Sequence, residues 1–198
     1  MHNKKIGNVR EVTMKAIQTM VEEHNNIKKM LVIVRKYCFK ILKNEKVDYE
    51  DFYKIIDFIR NYADKHHHGK EEKMLFNKMV QELGSPAEKL VKYGMLVEHD
   101  LGRLYIKELE EAISKVLKGD EEAKLDVIAN AISYTHLLQR HIDKEDTVVY
   151  KFAENNLSAS SKEKLEEECE AFEAQGEKEK IQRKYINVID ELNTKLNI

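Results

Sequence analysis

The sequence predicts an all-α protein, an up-down-up-down four-helix bundle with an additional C-terminal helical segment. One proline and seven glycines in 198 residues leave little turn chemistry, so long helices are expected. Charged residues make up 35% of the chain and apolar residues 42%, the balance of solvated helices that each bury one stripe. Apolar residues also recur at steps of three and four over long stretches, which is the period of an amphipathic helix.

The first two helices are separated by a short polar break. The first is expected from about Val9 to Lys43, and His24 lies within its apolar stripe. Asp48 is a good N-cap for the second helix, which runs to about Leu83. Because the connection is short, the two helices should be antiparallel neighbours.

The clearest boundary follows the second helix. Gly84 ends that helix, Ser85 caps the next one, and Pro86 suits its first position. Glu88 is expected to complete a capping box with Ser85. The third helix should then stop around Gly119.

The fourth helix is expected to be capped by Asp120 and to end at Asn155 and Asn156. Short loops again make it an antiparallel neighbour of the helix before it. Residues 1–156 are therefore predicted to form one bundle domain.

Residues 157–198 are predicted to be a C-terminal helical extension. Ser160 and Ser161 are expected to cap it, and a break is expected at Gly176. Beyond that point lies an apolar stripe in a polar frame, made of Ile181, Tyr185, Val188, Leu192 and Leu196. This stripe should pack on the bundle or on a second subunit, in which case the protein would be a homodimer.

Composition excludes several classes of function. A net charge of -2 and a pI near 6.5 provide no basic field for nucleic acid. The sequence contains no run of eighteen apolar residues, so no membrane span is expected, and the N-terminus lacks an apolar signal core. Cys38 and Cys169 are too few and too far apart for a disulfide framework. A cytoplasmic, reducing setting is expected.

An internal repeat organises the chain. Aligned from His67 and His141, two stretches share one pattern: His, two residues, Lys, Glu, an acid, one residue, two apolar residues and an aromatic ring. Glu23-His24 likewise recurs as Glu98-His99, 75 positions later. A helical hairpin with one His and one His-x-x-x-Glu is therefore present twice, which is typical of a two-metal site inside a four-helix bundle.

The repeat defines six candidate metal ligands: His24, His67, Glu71, His99, His141 and Glu145. A His and a carboxylate four residues apart share a helical face, so the imidazole can bind one metal ion while the carboxylate bridges to a second. Nitrogen and oxygen donors without thiolate suit iron or manganese, with zinc as another occupant. Glu72 and Asp146 are expected to orient the histidines.

Each residue taken alone has a simpler interpretation. A single His on an apolar stripe, such as His24, is more often a hydrogen-bonded core residue, and a single His-x-x-x-Glu is usually a surface pair. Their coincidence favours metal, because a core cannot hold two carboxylates and four imidazoles without partners. The pattern leaves His68 and Glu98 open as either further ligands or solvent-exposed residues. It leaves His66 open as a further ligand, a core residue or a residue that supports a ligand.

At these residues the chain resembles the hemerythrin family, in particular the bacterial hemerythrin-like HHE cation-binding domains. The similarity covers about residues 10–156 and rests on the paired motifs at 67–76 and 141–146. Glu98-His99-Asp100-Leu101-Gly102-Arg103 is similar to the HHE subgroup as well. The resemblance implies a non-haem diiron centre with oxo or hydroxo and carboxylate bridges.

Two departures from the oxygen-carrying members affect the expected function. Met95 stands where those proteins have the first of two third-helix histidines. Those proteins also end the fourth-helix motif in an aspartate, whereas this chain has Glu145, at a shorter spacing from the histidine. One metal ion then has an open position or a replacement ligand such as His68 or Glu98. These changes favour sensing or reacting with a small oxidant over reversible oxygen transport.

The leading hypothesis is a diiron protein that binds, senses or reduces oxygen, nitric oxide or peroxide. The alternative is a non-catalytic iron or redox sensor whose metal state controls a protein partner. A structural zinc bundle is the weakest hypothesis, because the pattern lacks thiolate ligands. If the protein is an enzyme, it is expected to be a diiron oxidoreductase of the peroxidase or nitric-oxide-handling type.

Overall fold

The computed structural model describes residues 14–197, and all regular structure in that range is helical. Four long helices come first, and two further helices follow them. The first long helix is a single segment, and each of the other three is continuous through several segments. We number them α1 (Lys15–Leu42), α2 (Glu50–Phe58, Ile59–His68, Glu71–Leu75 and Phe76–Leu83), α3 (Ser85–Leu90, Val91–Met95 and Leu96–Leu117), α4 (Lys124–Lys144, Glu145–Val149 and Tyr150–Asn156), α5 (Ala159–Lys178) and α6 (Ile181–Leu196). The expected all-α class is confirmed.

The start of the first helix, expected near Val9, lies outside the described residues. Two other expected helix starts, at Asp48 and Asp120, differ in detail from the structure. Asp48 lies just before α2, where its side chain accepts a hydrogen bond of 3.1 Å from the Glu50 amide, and Tyr49 occupies the N-cap position. Asp120 begins a turn before α4 in a similar way, because its carboxylate accepts from the Ala123 amide at 3.3 Å.

The expected capping box between the second and third helices does not form. Gly84 adopts φ 62° and is the N-cap residue itself, and Ser85 is the first helical residue. Glycine takes this left-handed φ without steric cost, and no side chain caps the helix that follows. Glu88 instead accepts a hydrogen bond from Lys92, one turn further along the helix, at 2.7 Å.

The C-terminal boundaries are also corrected. Ser158, not Ser160 or Ser161, caps α5, and its hydroxyl accepts from the Ser161 amide at 3.2 Å. The break expected at Gly176 occurs at Lys180, which has φ 57°. A glycine is used at 176 for a different reason: an added Cβ there would lie 2.9 Å from Cε1 of His66.

Four segments of the long helices are π-helical: Ile59–His68, Glu71–Leu75, Val91–Met95 and Glu145–Val149. A π-helical turn takes in one more residue than an α-helical turn, so successive side chains are rotated less around the axis, and such turns concentrate at functional sites. Three consecutive histidines, His66, His67 and His68, are consequently all buried, with exposed fractions of 4%, 1% and 6%.

The core consists of two apolar clusters with a polar layer between them. In α1, Met20 belongs to one cluster and Ile27 to the other, and buried His24 lies between them. In α4, Ile142 and Val149 are divided in the same way around Glu145. The layer that separates the clusters is where the candidate ligands lie.

The two C-terminal helices pack on the long helices. Leu165 and Cys169 of α5 belong to the same apolar cluster as Met20, and Tyr185, Ile189 and Leu192 of α6 belong to the cluster of Ile27. Both helices therefore cover parts of the same core. Within residues 14–197 there is no helix long and apolar enough to cross a membrane.

Candidate metal centre

The polar layer receives buried donors from all four long helices. Helix α1 provides His24, α2 provides His67, His68 and Glu71, α3 provides His99, and α4 provides His141 and Glu145. Each of these residues is buried. Because the donors come from four helices, the site exists only when the helices are packed together.

The donors form two groups that share one carboxylate. The first group comprises His68, Glu71, His99 and His141, and the second comprises His24, His67, Glu71 and Glu145. In each group one ligand atom per residue lies within 4.8 Å of the others. A carboxylate common to both groups is the arrangement that a bridged pair of cations requires.

Glu145 also faces both groups. Its Oε1 lies 3.1 Å from Nε2 of His141, and its Oε2 lies 3.3 Å from Nε2 of His24. Oε2 of Glu71 is 3.7 Å from Nε2 of both His67 and His99. The two carboxylates therefore lie between two pairs of imidazoles.

Two of the histidine rings contact, through Nδ1, the acids that directly follow the two central glutamates in the sequence. Nδ1 of His24 is 2.7 Å from Oδ1 of Asp146, and Nδ1 of His99 is 2.7 Å from Oε1 of Glu72. A carboxylate at Nδ1 fixes the proton there and leaves the lone pair of Nε2 directed inward. The expected orienting role of Glu72 and Asp146 agrees with this geometry.

The other two rings are held by acids that precede a histidine in sequence. Nδ1 of His67 is 2.8 Å from Oε2 of Glu23, and Nδ1 of His141 is 2.8 Å from Oε2 of Glu98. Glu98 is therefore outside both donor groups and supports His141. Glu23 is not among the predicted site residues. The repeat of Glu23-His24 as Glu98-His99 marks its position, but not the ring that it supports.

Each supporting acid is itself paired with a cation. Lys28 approaches Asp146 at 3.1 Å, and Nη2 of Arg103 approaches Glu72 at 2.6 Å. Lys70 is paired with Glu23, and Lys144 is paired with Glu98. The cations repeat at the same offset as the histidines, so the twofold pattern extends to a third layer of residues. Cations beside these acids keep them ionised and able to accept from the rings.

The inner face of the site contains polar atoms with unused hydrogen-bonding capacity. Among the described residues, the buried side-chain atoms without a hydrogen-bond partner are Nε2 of His67, Oε2 of Glu71, and Oε1 and Oε2 of Glu145. All four belong to the two donor groups. Buried acceptors without donors are costly, and cations at these positions would satisfy them. The residues present therefore fit a pair of metal ions.

The two central carboxyls differ in proton affinity. Burial and the charge of the neighbouring Glu145 raise the pKa of Glu71 well above its usual value. Burial alone would also raise the pKa of Glu145, but the His141 charge and hydrogen bond outweigh it and hold that pKa well below the usual value. Without a cation, a proton on Glu71 thus relieves the repulsion between the two acids.

The imidazoles differ as well. Burial and the charge of His24 lower the pKa of His67 to about 4, so this ring is neutral. The lone pair of its Nε2 is therefore available to a metal ion. Burial alone would lower the pKa of His141, but Glu145 outweighs it and raises the pKa to about 9. Nε2 of His141 also lies 2.9 Å from Nε2 of His99, so the two ring nitrogens directed at the centre are in close contact.

Tyr150 is a functional candidate that the sequence interpretation treated only as an aromatic position of the repeat. Its hydroxyl donates to Oε1 of Glu71 at 2.5 Å and lies 3.4 Å from Nε2 of His24. Burial and the charge of Glu71 raise the pKa of Tyr150, so the phenol keeps its proton. Phe76 occupies the equivalent position in the first half and offers no proton, so the two halves differ here.

His66 lies outside the two donor groups, in a third cluster with Glu23 and Glu173. Its Nε2 is 3.1 Å from Glu23 and 3.3 Å from Glu173. Lys70 is paired with both of these acids, so a lysine ammonium already occupies the centre of the cluster. This cluster joins α1, α2 and α5, and it supports His67 through Glu23.

Comparison with known proteins adds a family match. The model of the hemerythrin HHE cation binding domain matches residues 15–153. Uncharacterized proteins of Mycobacterium bovis and Mycobacterium tuberculosis are 23% identical over 151 residues, which is 75% of this chain. The chain spans 57% of the length of these relatives. No solved structure matches the chain.

Proposed function

Because the chain belongs to the hemerythrin HHE cation binding domain family, we propose that its metal centre holds two iron ions and binds, senses or reduces a small oxidant such as oxygen, nitric oxide or peroxide. One ion would be held by His68, Glu71, His99 and His141, and the other by His24, His67, Glu71 and Glu145. Manganese and zinc are alternative occupants, since the donors are nitrogen and oxygen atoms.

One observation supports this proposal above the others. Four imidazoles each have Nδ1 against a carboxylate, and their Nε2 atoms converge on two carboxylates with unsatisfied oxygens. A purely structural core gains nothing from burying three carboxylate oxygens and one imidazole nitrogen without hydrogen-bond partners. A pair of cations makes the same arrangement favourable, so the geometry is best explained by metal binding.

His68 takes the place of the third-helix histidine that the oxygen-carrying members have at the position of Met95. Met95 is buried in an apolar cluster, while His68 belongs to the donor group that contains His99 and His141. Its ring stacks on that of His99, with centroids 3.8 Å apart. Burial and the charge of His99 hold the pKa of His68 well below its usual value, so the ring is neutral, as a ligand must be.

A bound iron pair would supply the electrons for reduction of a small oxidant. The protein contributes a buried proton at Oη of Tyr150, which is directed at Oε1 of Glu71. It also contributes apolar walls, since Ile27 and Ile142 are each 1% exposed. These walls restrict water, and the phenol can release its proton only toward the centre.

The proposal includes the arrangement and setting of the chain. We place the four long helices in up-down-up-down order, because short connections join them and their middles share the polar layer. We place the protein in the cytoplasm, where Cys38 and Cys169, both free and buried, would stay reduced.

The test is metal analysis of the purified protein with absorption spectra before and after exposure to air. Two ions per chain and an iron spectrum that changes with air are expected. Glu145→Ala should disturb both ions, whereas His24→Ala and His99→Ala should each weaken mainly one. His136→Ala, which alters an exposed histidine of α4, is the matched control and should retain both ions.

A well-loaded protein with a single ion, or equal loss of one ion in all three variants, would contradict the shared site. Sulfur ligation would contradict it as well. These outcomes separate the dinuclear arrangement from binding of a single cation.

A second candidate function is a sensor whose metal state controls a protein partner. It is favoured by the direct connection from the centre to the C-terminal helices. Glu23, which holds His67, is paired with Lys70 and accepts a hydrogen bond of 3.0 Å from Gln182 of α6, and Lys70 is also paired with Glu173 of α5. Peroxide turnover by the pure protein favours the first candidate, and partner binding that depends on metal favours the second.

A further inference from the structure

A cleft of about 280 Å³ opens beside the donor group that contains His68 and His99. These two histidines are buried and mark its inner end, while Arg60 and Arg103 are more exposed and mark its rim. Its walls are largely apolar and come from α2, α3 and α4. An engineered apolar cavity of about 150 Å³ takes up benzene, so this space suits an occupant of roughly ten non-hydrogen atoms. A diatomic molecule requires much less.

The charges at the rim are already compensated. Arg60 forms a two-pronged hydrogen bond with Glu110, at 2.9 and 2.6 Å. Arg103 is shared between Asp64 and Glu72, at 2.6 Å each. Because these guanidinium groups are satisfied by carboxylates, the cleft offers no free cation to an anionic ligand, and its charge balance favours a neutral one.

Tyr134 provides the polar contact inside the cleft. Its side chain lines the cleft and the residue is 3% exposed. Across residues 14–197, no side chain or backbone group forms a hydrogen bond with its hydroxyl. Burial, with a smaller effect of the Asp64 charge, raises the pKa of Tyr134, so the group remains a hydrogen-bond donor. An occupant with one acceptor atom would pair with it.

Gly102 creates part of the space. Ile27 stands at the equivalent position of the first half, 75 residues earlier, and is buried. At position 102, an added Cβ would lie 3.5 Å from Cε2 of Tyr134 and 3.9 Å from Cδ2 of Leu137, which are ordinary contacts. The backbone does not demand glycine there, since its φ is not in the left-handed region. A side chain at position 102 would occupy part of the cleft.

We propose that this cleft binds a neutral organic molecule of roughly ten non-hydrogen atoms, with an apolar body and one acceptor for the hydroxyl of Tyr134. The bound molecule would lie against Ile59, Ile106 and Leu138 and would reach the rings of His68 and His99. The site consists of protein side chains alone and goes beyond the proposed function, which concerns small inorganic oxidants.

Isothermal titration calorimetry with acetophenone, ethylbenzene and benzoate on the protein as purified tests this assignment. Acetophenone should bind one molecule per chain, and benzoate should bind at least about tenfold more weakly, because its charge finds no free partner. Tyr134→Phe should weaken acetophenone about three- to tenfold, the effect of one lost hydrogen bond, and leave ethylbenzene unchanged.

Filling the cleft provides the second arm. Gly102→Ala should weaken both neutral probes and Gly102→Leu should abolish their binding, while Gly94→Leu, a helical glycine outside the cleft, should leave binding unchanged. Thermal melting of each variant checks that the fold is retained, and the milder Gly102→Ala serves if Gly102→Leu does not fold. Absence of saturable acetophenone binding, or binding unaffected by Gly102→Ala and Tyr134→Phe, would overturn the proposal. Since titration uses no redox step, a failed metal analysis would leave these outcomes unaffected.

Discussion

Asp146 illustrates how one residue outside the donor groups controls a ligand. Its Oδ1 holds Nδ1 of His24 at 2.7 Å, and its Oδ2 takes a hydrogen bond from Lys28 at 3.1 Å. Without that carboxylate, the His24 ring can rotate and its proton can move to Nε2, the atom directed at Glu145. The acid therefore acts on metal affinity through the orientation and tautomer of a ring.

Asp146→Ala should lower metal affinity about 10- to 100-fold, the usual effect of removing such a support, with little change in helix content. Competition with a coloured chelator measures the affinity. Asp143→Ala is the matched control, because Asp143 lies one turn earlier on α4 and is exposed. Equal affinity in the two variants would show that Asp146 does not position His24.

At the scale of elements, the contact between α2 and α5 depends on a missing side chain. Gly176 of α5 packs on the ring of His66, which Glu23 and Glu173 hold in place. A methyl group at 176 would approach that ring to 2.9 Å, too close without movement of the ring or the helix. The glycine therefore permits close packing despite its low helix propensity.

Gly176→Ala should lower the melting temperature, because overpacking costs about 1–3 kcal/mol and outweighs a helix-propensity gain of about 1 kcal/mol. Gly94→Ala should raise the melting temperature or leave it unchanged, since only Lys89 O lies near its added methyl, at 3.9 Å. Thermal melts followed by circular dichroism compare the two. A rise of equal size in both variants would exclude close packing at 176.

The docking of α6 should depend on pH through Asp51. This buried acid of α2 accepts hydrogen bonds from Lys195 at 2.5 Å and from Tyr37 at 2.7 Å. Burial alone would raise the pKa of Asp51, but these hydrogen bonds outweigh it and lower the pKa. Because the folded pKa is depressed, its stabilisation is complete above the ordinary aspartate value, about pH 4, and is lost as the pH falls through the folded value.

Asp51→Asn should therefore lower the free energy of unfolding at pH 7 by about 1–3 kcal/mol, the range for hydrogen bonds to a charged group. The difference from wild type should shrink as the pH falls below about 4. Urea denaturation at several pH values measures it, with exposed Asp190→Asn of α6 as the control. A difference independent of pH would contradict a role for the Asp51 charge.

For the whole molecule, metal binding and folding are expected to be coupled. Without cations the polar layer brings together two carboxyls and five imidazoles between two apolar clusters. Cations that bind only the folded chain stabilise it in proportion to their affinity and concentration. Repulsion and unsatisfied acceptors then concentrate the loss of stability in the middle of the bundle.

The metal-free protein should stay largely helical and melt well below the loaded form. Hydrogen exchange should rise most around His24, His67, His99 and His141, while the apolar clusters on either side keep more protection. Hydrogen-exchange mass spectrometry on both forms measures this. Equal protection of those four segments with and without metal would place the metal site outside the core.

The sequence by itself determined the helical class and the membership of the family, and it predicted six of the residues that the structure brings together in the two donor groups. These depend on local period and on an internal repeat, which are visible without knowledge of packing. The repeat also contained Glu23 and Glu98 side by side with their histidines. Their role was not readable there, because a carboxylate next to a histidine in sequence points to a different face of the helix.

Only the tertiary structure decided which acid holds which ring. Glu23 supports His67 and Glu98 supports His141, each across 43 or 44 positions of the chain. It also decided two positions that the sequence left open: His66 lies outside the donor groups and His68 lies within one, because π-helical turns change the faces that an ideal helix predicts. The physical reason is the same in each case: ring orientation depends on partners from other helices, and their positions follow from packing.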